Sequence, residues 1–436
     1  MVLQLDQDRQ QSYTTEPKAT HQLIFVSLRG RYFRIVGNIF IWERSDDLAE
    51  SRALSIYNSN TFLYITYVYR LQYKDGSSVI VSYAQAGKFA DERIRCQVAT
   101  MRYIAAKTTI PVPKIYYCGG VAENPVSTGS FIMTDYIEHE RTMSDIANIF
   151  LQLSTLKFPR TGSLDGGGDK DISVSARLHT RNMDSLRHAE AVLVLVRPHD
   201  TSGEFYSALA DIHLGELIFR HGRTDTPIFE DDMRDIYVAR QLFRQLASER
   251  KLTSRLELTR ALRMKEEYIY ATPAQFSFDP PWWLLLKTPE NWPGGIKVWT
   301  EAYKPRLDTF IRALEGEESQ ARVSSGITGN IGTPSLSDDL EPSLSQRMRN
   351  SWENKAWMIN YAARNSKAFD YLFWKFLDTR FFGHSEAGDH YERIKLLSQH
   401  EIELLELFIS VKIGVTIGEE TMSSRFRRIF IRRLGL

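Results

Sequence analysis

The chain has 436 residues, 43% hydrophobic and 25% charged, with a formal net charge of +1. That length exceeds one ordinary core and predicts two lobes or two domains, while the near-zero charge excludes a broad electrostatic pull toward nucleic acid or a membrane surface. The 2 cysteines, Cys96 and Cys118, form no CxxC pair, which excludes a Cys/His zinc site and a disulfide framework and points to a reducing compartment.

Residues 1–20 are polar, carry no signal-peptide apolar run and are expected to be disordered. Residues 22–60 mix Ile, Phe and Trp with charge and give no clear element. Alternation at Tyr67, Tyr69, Leu71 and Tyr73, the dipeptide Asp75-Gly76 and a return over Val79 to Tyr83 predict a β-hairpin. Ile94, Val98, Met101 and Ile104 fall on one helical face and predict a helix from Asp91 to Ala106. Pro111-Val112-Pro113 ends that unit, because each proline restricts itself and the residue before it. Ile115 to Cys118 and Phe131 to Ile137 read as strands around a loop, Gly119 to Ser130.

The apolar run Ala191 to Val196 is too short to span a bilayer, so a cytoplasmic, soluble protein is expected. The second half is mainly helical. Its stripes are Phe205, Leu209, Ile212 and Phe219; Ile236, Ala239, Phe243 and Leu246; Leu307, Phe310, Ile311 and Leu314; and Phe369, Leu372, Phe373 and Phe376. Residues 315–346 are rich in Ser, Gly, Thr and acid, which predicts a flexible insertion. The expected divisions are an unassigned extension at 1–60, a β-rich unit at 61–140, helical segments at 141–314 and 347–415 around that insertion, and a basic tail at 416–436. The fold class expected is α+β.

Several words of the chain carry a family resemblance. They are RLQYKDGSS (Arg70–Ser78), MRYIAAKTTIPVPKIYYCG (Met101–Gly119), FIMTDYIEHERTMSD (Phe131–Asp145), FLQLSTLKFPRTGSL (Phe150–Leu164), YVARQLFRQLA (Tyr237–Ala247), YATPAQFSFDPPWWLLLKTPENWP (Tyr270–Pro293) and FDYLFWKFLDTRFFG (Phe369–Gly383). Together and in this order, from about Tyr67 to Ile413, they resemble the fungal branch of the aminoglycoside phosphotransferase and choline kinase-like superfamily. The resemblance implies a bilobal kinase-like fold with a small β-rich lobe and a larger helical lobe. It also implies ancestral ATP- and magnesium-dependent phosphorylation of a hydroxyl on a small molecule. Met133, Thr134, Asp135, Tyr136 and Ile137 would then form the hinge that meets the adenine of ATP.

Phosphoryl transfer needs a cation on the phosphates, a helix carboxylate to orient it, a base and a pair of metal ligands. At the corresponding positions stand Ser82, where the family carries a basic residue, and Gln97, where it carries Glu. Leu63-Tyr64-Ile65-Thr66 replaces the glycine-rich phosphate loop, and bulky side chains bar the backbone approach that glycine permits. Between Ala247 and Tyr270 no H-x-D-x-x-x-x-N loop occurs, and Lys265-Glu266-Glu267 stands where the family has D-W-E; lysine cannot ligate magnesium. A second shortening lies near Asp145-Ile146. No catalytic residue and no metal ligand is therefore assigned.

Three readings follow: a kinase whose transcript encodes more than this chain, a pseudokinase that binds a small molecule or a protein partner, and a decayed product in which Phe243 and Leu246 lose their apolar cover. Nucleic acid and membrane are not expected partners.

Other residues favour plain roles. His221 to Asp225 reads as a surface turn and His213 as a packing histidine. Glu266 and Glu267 read as a solvated patch. Trp282, Trp283, Trp292 and Trp299 could wall in a cationic amine, but packing is the favoured reading. Asp225, Glu230, Asp231 and Asp232 suit a helix start.

Overall fold

The computed structural model describes residues 25–28, 31–36, 39–44, 52–57, 66–72, 77–84, 89–124, 129–137, 142–166, 171–178, 197–219, 230–253, 260–265, 268–285, 287–327, 342–386 and 388–414. They fall into two compact units, Met1–His139 and Glu140–Leu436. Helices and small antiparallel sheets together make an α+β protein.

The first unit corrects the blank left at 22–60. Strands β1 (Phe25–Leu28), β2 (Arg31–Val36) and β3 (Ile39–Arg44) form an antiparallel sheet, and β4 (Arg52–Tyr57) opens a second one. The signal was present. Arg29-Gly30 separates the paired positions Leu28 and Arg31, and Gly37-Asn38 separates Val36 from Ile39. Glycine dipeptides between runs of β-branched and aromatic residues are hairpin punctuation, obscured here by the interleaved arginines.

The second sheet has the order β4-β5-β6-β8-β7, with β5 at Thr66–Gln72, β6 at Ser78–Ala84, β7 at Ile115–Gly119 and β8 at Phe131–Asp135. The pair Gln72↔Ser78 centres the β5–β6 turn on position 75, as Asp75-Gly76 predicts; those two residues lie outside the described ones. Helix α1 (Ala90–Lys107) joins β6 to β7 and buries Ile94 and Val98 against Ile132. Thr108 ends it in an extended conformation, just before the prolines. Asp91 in its first turn accepts from Ser130 Oγ at 2.6 Å and Val121 N at 2.8 Å, which holds its carboxyl below the ordinary range.

The second unit is a helical assembly with two short hairpins, β9–β10 (Ser163–Asp165, Ser173–Ala176) and β11–β12 (Arg260–Lys265, Tyr268–Pro273). Gly162 joins them by exchanging backbone hydrogen bonds with Ala271 at 3.0 and 2.9 Å. A Cβ on Gly162 would stand 2.8 Å from the Ala176 carbonyl oxygen, so this approach requires glycine. The main helices are α2 (Met143–Thr155), α3 (Ser202–Phe219), α4 (Glu230–Ser248), α5 (Gly295–Ile327), α6 (Leu344–Glu353), α7 (Ala356–Arg364), α8 (Ser366–Leu372) and α9 (Gln399–Gly414). The four apolar stripes fall on α3, α4, α5 and α8, the last continuing through a π-helical turn at Phe373–Leu377. Most of their residues join one core; Phe376 packs against it partly buried.

Two expectations are corrected. Residues 315–327 are not an insertion but the end of α5. Glu, Gln, Ala and Arg extend a helix already nucleated upstream, and propagation is far cheaper than nucleation. Glu318 is buried there, accepting from Ser345 N at 2.9 Å and Ser345 Oγ at 2.6 Å. Residues 328–341 lie outside the described ones. Phe243 and Leu246, expected to lose cover in a decayed product, are instead sealed in the core at 0% and 1% exposure.

One half-buried group gives a pH prediction. Burial pushes the His199 imidazole below its ordinary pKa, against the opposing pull of the Glu204 charge, and its ring stands edge-on to Phe205 at 6.3 Å. The unfolded chain therefore binds this proton first. Stability from neutral His199 is present above about pH 6.5 and is lost as pH falls through the lower folded value. Urea midpoints from pH 7 to 5 should fall less steeply in His199→Phe than in the parent; parallel profiles would refute this.

Candidate functional site

In the first unit, burial alternates along β6: Val79, Val81 and Tyr83 are buried, whereas Ile80 and Ser82 are half-buried. Ser82 is directly paired with Ile132 on β8. Directly opposed residues share a face, and Ile132 packs on α1, so Ser82 lies on the helix-covered face of the sheet. Gln97 on α1 is exposed. Neither can hold a phosphate by charge. Thr66 opens β5; Leu63, Tyr64 and Ile65 lie outside the described residues.

The five residues expected to form a hinge divide. Met133, Thr134 and Asp135 belong to β8, between β6 and β7. Their backbone groups serve the ladders, and Asp135 N donates to the Lys114 carbonyl oxygen at 3.0 Å. Tyr136 and Ile137 follow the strand. The Arg70 guanidinium sits 3.6 Å from the Tyr136 ring centre, and Arg70 Nε also donates to Ser78 Oγ at 3.1 Å. Ile137 is 39% exposed, and the Tyr116 hydroxyl donates to Asp135 Oδ1.

The second unit holds a buried polar network that sequence reasoning missed. Asp279, 2% exposed, receives Asn360 Nδ2 on one oxygen at 2.7 Å and Arg364 Nη2 on the other at 2.8 Å. Asn360 accepts from the Tyr206 hydroxyl, which in turn accepts from Gln275. Gln275 Nε2 also donates to the Leu252 carbonyl oxygen at 3.3 Å. Burial, reinforced by the Asp279 charge, pushes the Tyr206 phenol well above its ordinary pKa and keeps it a neutral donor. The Arg364 guanidinium stands 4.8 Å from the Phe276 ring. Asp279 lies in the FDPPWW word, but Asn360 follows 81 residues later, so no local pattern announces the pairing. With both oxygens on buried donors, Asp279 is a structural clamp.

Beside it, Trp299, Tyr303, Trp352 and Trp357 form a ring quartet, with centroids 4.4 Å apart for Trp299–Tyr303, 5.2 Å for Tyr303–Trp352 and 5.4 Å for Trp352–Trp357. Trp299 is 1% exposed and donates to the Lys287 carbonyl oxygen at 3.1 Å, so it packs. Trp283 stands 6.1 Å from Phe150, and Trp292 packs against the core. The Trp282 side chain lies outside what is described.

His213 is fully buried, its Nε2 2.8 Å from the Ala363 carbonyl oxygen and its ring 4.6 Å from Phe369. Glu230, Asp231 and Asp232 form the first turn of α4, and Glu230 accepts from Arg234 at 2.6 Å. Residues His221 to Asp225, Glu266 and Glu267 lie outside the described ones.

Among the described residues, no three His, Cys, Asp or Glu side chains converge as a metal site, and no helix is long and apolar enough to cross a membrane. No family model matches the chain, and no curated protein matches it in sequence. Among solved structures, a Thermobifida fusca protein named as a candidate fructosamine-3-kinase aligns over 76% of this chain and 88% of its own, with 10% identity and a TM-score of 0.30. That agreement is too loose to bear on fold or activity.

Proposed function

We propose that this chain is a relative of ATP-dependent small-molecule kinases, of the aminoglycoside phosphotransferase and choline kinase-like kind, that binds without transferring phosphate. One observation carries the reading. The third strand of the five-stranded sheet, followed directly by α1, offers Ser82 on the helix-covered face, where transfer chemistry of the protein-kinase type needs a lysine paired with a helix glutamate. Ser82 and the exposed Gln97 leave phosphate charge unneutralised.

ATP and magnesium enter this reading through the resemblance alone. Adenine contact is assigned to Tyr136 and Ile137, whose backbone lies past the ladder that occupies Met133, Thr134 and Asp135. The thiols Cys96 and Cys118, which form no disulfide with each other, suit a reducing cytoplasm.

The purified chain, given ATP and magnesium, should show no turnover that a magnesium chelator abolishes. Chelator-sensitive turnover would overturn the proposal. A second reading, an active kinase with a fuller transcript, is favoured by the break in the resemblance between Ala247 and Tyr270. Full-length transcripts that add an H-x-D-x-x-x-x-N loop there would replace the first reading with the second.

A further inference from the structure

Helices α5, α6 and α7 enclose a groove of about 730 Å³, within the range of small-molecule sites. Its floor is apolar, built from Leu307, Ile311 and Met358 with the partly buried ring of Trp352.

The walls carry charge of unequal sign. Lys304, Arg312, Arg349 and Lys355 face two acids, Asp308 and Glu353. Arg349 is engaged with Glu315 at 2.8 Å. Arg312 donates only to the Asp308 carbonyl and the Thr309 hydroxyl, and neither it, Lys304 nor Lys355 has a carboxylate partner among the described residues. Concentrated at the mouth of an apolar cleft, such cations attract and orient an anion.

The aromatic geometry points the same way. An organic cation would be held by an open ring face. Trp352 instead stacks on Tyr303 and on Trp357, which spends ring face on its neighbours. Ring edges carry the positive end of the quadrupole and disfavour a cation.

We propose that this groove binds a small amphipathic carboxylate, its aryl or acyl body on the Leu307, Ile311 and Trp352 floor and its carboxylate drawn to Lys304, Arg312 and Lys355. The site does not depend on whether the chain transfers phosphate.

The test is calorimetric titration of the full chain with 2-naphthoate at low salt. Lys304 and Arg312 are exposed, so Lys304→Gln/Arg312→Gln should fold normally and bind about tenfold more weakly. Lys355 sits in the left-handed region at φ 60, where glycine is at ease. Lys355→Gly therefore removes a cation without backbone strain, giving up its contact with the Phe376 ring at 5.7 Å, and should also weaken binding. The cationic counterpart 2-naphthylmethylamine should bind at least about tenfold more weakly than the carboxylate. Absence of saturable naphthoate binding, equal or tighter binding of the amine, or parental affinity in the double variant would each overturn the proposal.

Discussion

Asp279→Ala is expected to lower the unfolding free energy by about 3–5 kcal/mol, the loss typical when one member of a buried ion pair is removed. Asp279 and Arg364 are 2% and 7% exposed. Arginine cannot shed its charge, so the variant would keep a buried guanidinium without its 2.8 Å partner. Asn360 Nδ2 would lose its 2.7 Å acceptor as well. Against a typical margin of about 5–15 kcal/mol, this approaches global unfolding. Removing both charges is gentler: Asp279→Leu/Arg364→Met should lie much nearer the parent, because no uncompensated charge remains. Urea denaturation reads both. If Asp279→Ala costs less than about 1 kcal/mol, the network is not the clamp described.

Trp299→Ala should cost about 3–5 kcal/mol as well, by a different route. The indole is 1% exposed and lies 4.4 Å from Tyr303, so its removal opens a cavity in a packed quartet. Trp299→Phe separates packing from hydrogen bonding. It keeps a ring against Tyr303 and orphans only the Lys287 carbonyl, a loss of about 1 kcal/mol. The two sites should also couple, because the Tyr303 hydroxyl donates at 2.7 Å to the carbonyl of Pro281, two residues beyond Asp279. Near-parental stability in Trp299→Ala would contradict the packing role and reopen the quartet as a ligand wall.

What the sequence determined by itself is local. Period-two alternation with Asp75-Gly76 produced the β5–β6 hairpin, and spacing at Ile94, Val98, Met101 and Ile104 placed α1 to within a residue at each end. The α3, α4, α5 and α8 stripes were legible because apolar residues recur every third or fourth position along each, although α3 and the middle of α4 are buried nearly all round. The end of α5 was not legible: its residues are mostly polar and show no apolar periodicity, and helicity there comes from the preceding turns. The β1–β3 strands were hidden by arginines that break the apolar alternation.

Only tertiary structure decided the sites. That Ser82 and Gln97 are uncharged is plain from the sequence, but the face Ser82 occupies follows from its register with Ile132. Which of Met133 to Ile137 have backbone groups outside a ladder depends on β8 being paired on both edges. The clamp joins Asp279 to Asn360 and Arg364, and the groove joins Lys304 and Arg312 to Lys355, residues far apart in the chain. Burial and charge compensation are properties of neighbours in space. A sequence read along its length records spacing on one element, and it carries no measure of which elements meet.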